Sequence, residues 1–126
     1  MRHANDKSQF TPFGIWLQEY IRKDMSITNL DYVVEDYKNK KIMLLEEKQN
    51  AGVLHTAQRL TFGVLHKCLK RAASDSGYEY WGFFVLRFPN GASMPGPGMT
   101  LNDKIITSED LRDHLDFKTK FCESLF

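Results

Sequence analysis

Residues 29–48 read NLDYVVEDYKNKKIMLLEEK, and the fold turns on this stretch. Two runs of β-type residues, Tyr32 to Tyr37 and Ile42 to Glu47, flank a turn-like KNKK, which predicts an antiparallel hairpin. An Asp opens the first run and Glu46-Glu47-Lys48 closes the second. A strand that begins Ile-Met-Leu-Leu is apolar enough to lie inside a sheet, whereas charges are costly to bury unless they are paired or hold a metal. Either the strand runs out into water, or its charges are assembled into a site.

Side chains alternate along a strand, so Ile42, Leu44, Glu46 and Lys48 share one face while Met43, Leu45 and Glu47 take the other. Antiparallel partners run back past each other, which brings Asp31 to the end of the hairpin where Glu46 and Lys48 emerge. Two adjacent carboxylates raise each other's pKa unless a divalent cation sits between them. Mg²⁺ suits such a pair, because it takes oxygen ligands, needs only one or two carboxylates and keeps positions for water and phosphate oxygens. Lys48 would hold an attacking water or offset developing negative charge. Acid-x-Lys triplets also occur at Asp36/Lys38 and Asp116/Lys118, but only Glu46/Lys48 ends an apolar strand with an Asp one strand earlier. A solvated strand end fits the same residues, and the physics of the sequence leaves both readings open.

Upstream, residues 1–10 are polar and read as a flexible arm. Thr11-Pro12 reads as an N-cap with proline at the first helical position, opening a helix over FGIWLQEYIRK with Phe13, Trp16, Leu17 and Tyr20 on one face and Glu19 at its flank. DMSITN is either a short strand or a connector. Downstream, QNAGVLH is a loop, and Thr56 to Ser74 has a helical period with Ala57, Leu60, Thr61, Val64, Leu65, Cys68, Leu69 and Ala72 on the expected apolar side. Arg59, His66 and Lys70 form a basic stripe on another face. GYEYWGFFVLRF, with almost no alternation, is the pattern of a strand covered on both faces. PNGASMPGPG is a Gly/Pro loop, MTLNDKII a last strand or hairpin arm, and TSEDLRDHLDF a closing helix capped by Thr107. Residues 118–126 are read as a C-terminal tail.

With 126 residues, the chain suits one domain over 11–117 with a single substantial core. The 17 basic and 16 acidic residues nearly cancel, so a nucleic-acid partner would have to meet a local patch, such as Lys38, Lys40 and Lys41 on the hairpin turn or Arg59, His66, Lys67, Lys70 and Arg71 on the long helix. No apolar run reaches membrane-spanning length and the start has no signal-peptide core, which makes a cytoplasmic protein the expectation. Cys68 and Cys122 form no CxxC pair, the four histidines no zinc motif, and the glycines no P-loop.

Asp31, a strand, a turn, an apolar strand ending Glu46-Glu47-Lys48 and a helix carrying Gln58 together resemble the PD-(D/E)XK nuclease superfamily, most closely its small phage-type members. The resemblance implies an α/β fold, a mixed central sheet flanked by helices with a restriction-endonuclease-like core. It implies a Mg²⁺-dependent (or Mn²⁺-dependent) nuclease cutting phosphodiester bonds in DNA, with a homodimer where both strands are to be cut. By the same resemblance Asp31 and Glu46 are metal ligands, Glu47 contributes its backbone carbonyl, Lys48 is the catalytic lysine, Gln58 supports the site from the helix, and Glu19 supplies a further metal ligand. A catalytically silent protein of the same fold, gripping nucleic acid or a protein partner, is the alternative. Leu30 stands where the motif often has proline, and the strand usual before the Asp-bearing one is reduced to MSITN at best.

Overall fold

The computed structural model describes residues 11–22, 24–25, 27–49, 53–89 and 94–126. The arm at 1–10, the middle of the first loop and the Asn90-Gly91 turn signal lie outside the described residues. The described chain holds three helices, α1 (Pro12–Tyr20), α2 (Thr56–Ser76) and α3 (Ser108–Leu115), and five strands, β1 (Tyr32–Asp36), β2 (Lys41–Gln49), β3 (Glu79–Phe88), β4 (Thr100–Leu101) and β5 (Lys104–Ile105). The strands form one mixed sheet in chain order. β1 and β2 make the expected antiparallel hairpin, closing with Asp36 opposite Lys41, and the Asp36 carboxylate accepts from the turn N–H groups of Lys38 and Asn39. β3 returns parallel to β2 after the α2 crossover, and β4 and β5 follow as a short antiparallel hairpin.

Both expected N-caps are present. Thr11 accepts the Gly14 N–H at 3.1 Å with Pro12 behind it, and Thr107 accepts the Asp110 N–H at 3.1 Å. Between α1 and β1 the described residues of the MSITN segment include no strand, which settles that segment as a connector there. The chain clusters into two compact units: the residues up to Asn29 with Leu54–Leu65, and Leu30–Val53 with His66–Phe126.

The second unit contains the whole sheet. Its core packs on the sheet face that carries Met43, Leu45, Phe84, Leu86 and Leu101, covered by Ile106, Leu111 and Phe117 from α3 and its flanks. Each such side chain contributes about 1.5–3 kcal/mol by burial. The other face carries Leu44, Phe83 and Val85, also buried, so β2 and β3 are apolar on both sides, as their lack of alternation implied. Of residues 118–126, the last three run beside the first half of β3, at Gly82 and Phe83. Leu125 donates its N–H to Phe83 O at 2.8 Å, Phe83 donates to Ser124 Oγ at 2.9 Å, and the Phe126 ring meets Phe83 and His66.

One expected face is corrected. On α2 the buried positions are Gln58, Phe62, His66 and Ala73, whereas Leu60, Val64 and Cys68 of the expected apolar side are exposed. A single aromatic and a pairable histidine outweigh the aliphatic count: His66 Nδ1 lies 2.8 Å from Tyr80 Oη. His66 therefore leaves the basic stripe for the interior, where burial and the nearby Lys70 charge lower its pKa. On α1, Phe13, Trp16 and Tyr20 do share a face, but it is exposed, and they stack on one another at 6.0 and 5.5 Å.

His114 is fully buried between Trp81 and Phe84, with Nδ1 accepting the Phe121 N–H at 3.0 Å. Burial first, then the Lys120 charge, push its pKa down to about 4. An unfolded histidine titrates near 6.5, so the folded state gains stability from neutral His114 that is complete above about pH 6.5 and is lost as pH falls through about 4. Thermal denaturation is expected to show roughly 3 kcal/mol of destabilisation across that window, a slope that His114→Phe removes.

Candidate functional site

Why β2 ends in charges is answered at its C-terminal end. The strand does not stop at Glu47 but runs through Lys48 to Gln49, paired to β3 throughout. Glu46 is therefore inside the sheet and only 1 % exposed, among the most buried side chains of the molecule. β1 pairs Tyr32 with Leu45 and Val33 with Leu44, so Asp31, one residue before the strand, falls opposite Glu46 on the same face.

The contact is direct. Asp31 donates its N–H to Glu46 Oε1 at 3.1 Å, and Asp31 Oδ2 accepts the Glu47 N–H at 2.8 Å. Lys48 Nζ stands 3.9 Å from Glu46 Oε2. The Glu47 side chain leaves on the opposite face, where it accepts from the Tyr32 hydroxyl at 3.2 Å.

These positions disfavour the charged form of Glu46. Burial is the largest cause and the Asp31 charge the next, together pushing its pKa up to about 8, with a side-chain hydrogen bond to Asp31 also favouring the protonated form. The Asp31 N–H and Lys48 pull the other way without cancelling these effects. A carboxyl that keeps its proton at neutral pH against a second carboxylate is the condition that a divalent cation relieves. Among the described residues there is no cluster of three or more His, Cys, Asp or Glu side chains suited to a metal. Two carboxylates alone do not make a zinc or calcium cage, but they fit an ion completed by water and phosphate oxygens.

Of the six residues expected at the site, Asp31, Glu46, Glu47 and Lys48 meet at this one sheet terminus. Gln58 and Glu19 belong to the other unit. Gln58 is buried near the start of α2, its side-chain oxygen accepting the His55 N–H at 3.1 Å, which is a helix-entry contact. Glu19 is exposed on the last turn of α1. The lysines stand on the hairpin turn as expected, far from the site: Lys41 precedes Glu46 by five strand residues, about 17 Å, and Lys38 and Lys40 lie beyond it.

The residue that the sequence reading missed is Arg87. In the parallel ladder Glu46 pairs with Val85 and Lys48 with Arg87, so Arg87 is the neighbour of Lys48 on the same face. Its guanidinium is ion-paired to the exposed Asp103. The signal was a lone charge near the end of an otherwise apolar strand, fainter than the Glu46-Glu47-Lys48 run. Comparisons of the chain with protein-family models, curated proteins and solved structures give no significant match.

Proposed function

We propose that the protein is a metal-dependent nuclease of the PD-(D/E)XK type, hydrolysing phosphodiester bonds in DNA. The observation that carries this reading is the convergence of Asp31, a buried Glu46 held near pKa 8 and Lys48 on one face of one sheet terminus. A hairpin with the acid at its start and the Glu-x-Lys at its end, followed by a helical crossover to a parallel strand, is the arrangement the resemblance calls for. In this reading Asp31 and Glu46 would hold Mg²⁺ or Mn²⁺, with the Glu47 backbone carbonyl as a further oxygen donor. The ion would polarise a phosphate oxygen and acidify the attacking water. Lys48 orients that water and offsets charge developing on the phosphate. One such site cuts one strand, so double-strand scission requires two copies or two encounters.

The test is incubation with supercoiled, linear and single-stranded DNA in Mg²⁺ or Mn²⁺, then with chelator. Cutting is expected in metal only, and Lys48→Ala is expected to lower its rate at least about a hundredfold with an unchanged circular dichroism spectrum. DNA binding without cutting in any metal would leave the silent, gripping alternative in its place.

A further inference from the structure

The positive charge expected for a nucleic-acid partner is scarce at this end of the hairpin, because the turn lysines stand at the other. Sheet register supplies a second source. β2, β3 and β4 pair Lys48 with Arg87 and Arg87 with Thr100. Partners in register point to the same face, so the three side chains form one row across three strands, each about 4.8 Å from the next. The row lies two residues, about 6.6 Å, beyond the row that carries Glu46.

Three features of this row go together. Arg87 is mostly buried, and its guanidinium meets an oxyanion, the carboxylate of Asp103. That carboxylate is itself 78 % exposed, on the two-residue turn between β4 and β5 where Asn102 and Asp103 both have positive φ, 47° and 66°. An ion pair with one partner this exposed is weak and readily exchanged. The third feature is Thr100: its hydroxyl oxygen is buried and has no hydrogen-bond partner among the described residues. A buried hydroxyl without a partner is costly and uncommon in a finished structure. An ammonium, a forked guanidinium and a hydroxyl side by side are all donors, and the ligand that accepts from such a set is a phosphate.

We infer that Lys48, Arg87 and Thr100 form a phosphate-binding subsite, in which Arg87 exchanges the Asp103 carboxylate for a backbone phosphate next to the one being cut. This rests on the nuclease reading, and adds to it a residue for substrate grip and a built-in competitor. Asp103 occupies the guanidinium in the absence of nucleic acid and releases it on binding. The subsite contacts no base, so its contribution is the same for every sequence and falls with salt.

Fluorescence anisotropy with a labelled 20-nucleotide single strand and its duplex, in chelator so that no cutting intervenes, tests the inference. Arg87→Ala is expected to weaken binding about tenfold and to lower the salt slope by about one, with Arg87→Lys in between. Asp103→Asn keeps a residue type that tolerates positive φ and is expected to tighten binding about threefold. Asp110→Asn, the same charge change on the exposed side of α3, is expected to tighten it less. If the wild type binds and cuts while Arg87→Ala binds equally well, or Asp103→Asn gains no more than Asp110→Asn, the subsite is overturned and the nuclease reading stands. If the wild type binds neither DNA form and cuts neither in Mg²⁺, both fall together.

Discussion

Replacing Glu46 by glutamine is expected to abolish Mg²⁺-dependent cleavage, a loss of about a thousandfold or more, while making the protein harder to unfold at alkaline pH. The two halves of this result have one cause. Glutamine fills the same space and can still accept the Asp31 N–H that Glu46 Oε1 accepts at 3.1 Å. What it cannot do is ionise. Glu46 has a folded pKa of about 8 against 4.5 for the unfolded chain. A raised carboxyl pKa gives stability that is complete below about pH 4.5 and is lost as pH rises through about 8, because the unfolded chain then gives up a proton the folded protein must keep or pay to release. At pH 9 the charged, 1 % exposed carboxylate costs the metal-free protein on the order of 4 kcal/mol, and Glu46→Gln removes that cost. Denaturation of both proteins in chelator at pH 4, 6 and 9 measures it: the variant's gain is near zero at pH 4, about 2 kcal/mol at pH 6 and largest at pH 9. Adding Mg²⁺ at pH 9 is expected to stabilise the wild type and leave Glu46→Gln unchanged. Equal stability of the two proteins at pH 9 would mean that Glu46 is not held against its own charge, and the case for a cation there would lapse.

A site that costs stability when empty is also a site that sequence can reveal. Glu46 was legible because its neighbours Met43, Leu44 and Leu45 demanded burial, and alternation then fixed its face and that of Lys48. Asp31 was legible because a four-residue turn fixes the hairpin register, and register decides which ends meet. The α2 face was misread for the opposite reason. Its aliphatic residues outnumber its aromatic ones, but Phe62 and His66 take the interior, since one ring and one hydrogen bond to Tyr80 decide a helix rotation that a count of leucines does not. Gln58 and Glu19 rested on resemblance alone, with no local pattern to fix where their side chains go. Arg87 was missed because its face depends on an irregularity that periodicity cannot show.

That irregularity is the bulge at Trp81, and it carries the second large expectation. Ile42 pairs with Tyr80 but Met43 pairs with Gly82, leaving Trp81 as an extra residue on β3. Every later residue of β3 is thereby shifted by one, and a shift of one exchanges the two faces of a strand. Without the bulge, Lys48 would pair with Leu86, and Arg87 would point into the apolar core on the other side. Gly82 makes the bulge affordable. Its φ is +128°, a conformation closed to β-branched residues, and a Cβ placed there would stand 2.4 Å from the Ser124 Cβ of the C-terminal segment. Ser124 is in turn the acceptor for the Phe83 N–H, so the segment cannot withdraw without orphaning a strand amide. Gly82→Val is therefore expected to cost about 4 kcal/mol or more, combining backbone strain with loss of the 124–126 contacts. Hydrogen exchange locates the damage: protection is expected to fall at the Phe83 and Leu125 amides while the β1/β2 hairpin amides keep theirs. Deleting residues 124–126 from the Gly82→Val protein removes the clash and should recover part of the lost stability, whereas the same deletion from the wild type only destabilises. A Gly82→Val protein as stable as the wild type would show that the tail does not hold the bulge, and the face assigned to Arg87 would lose its support.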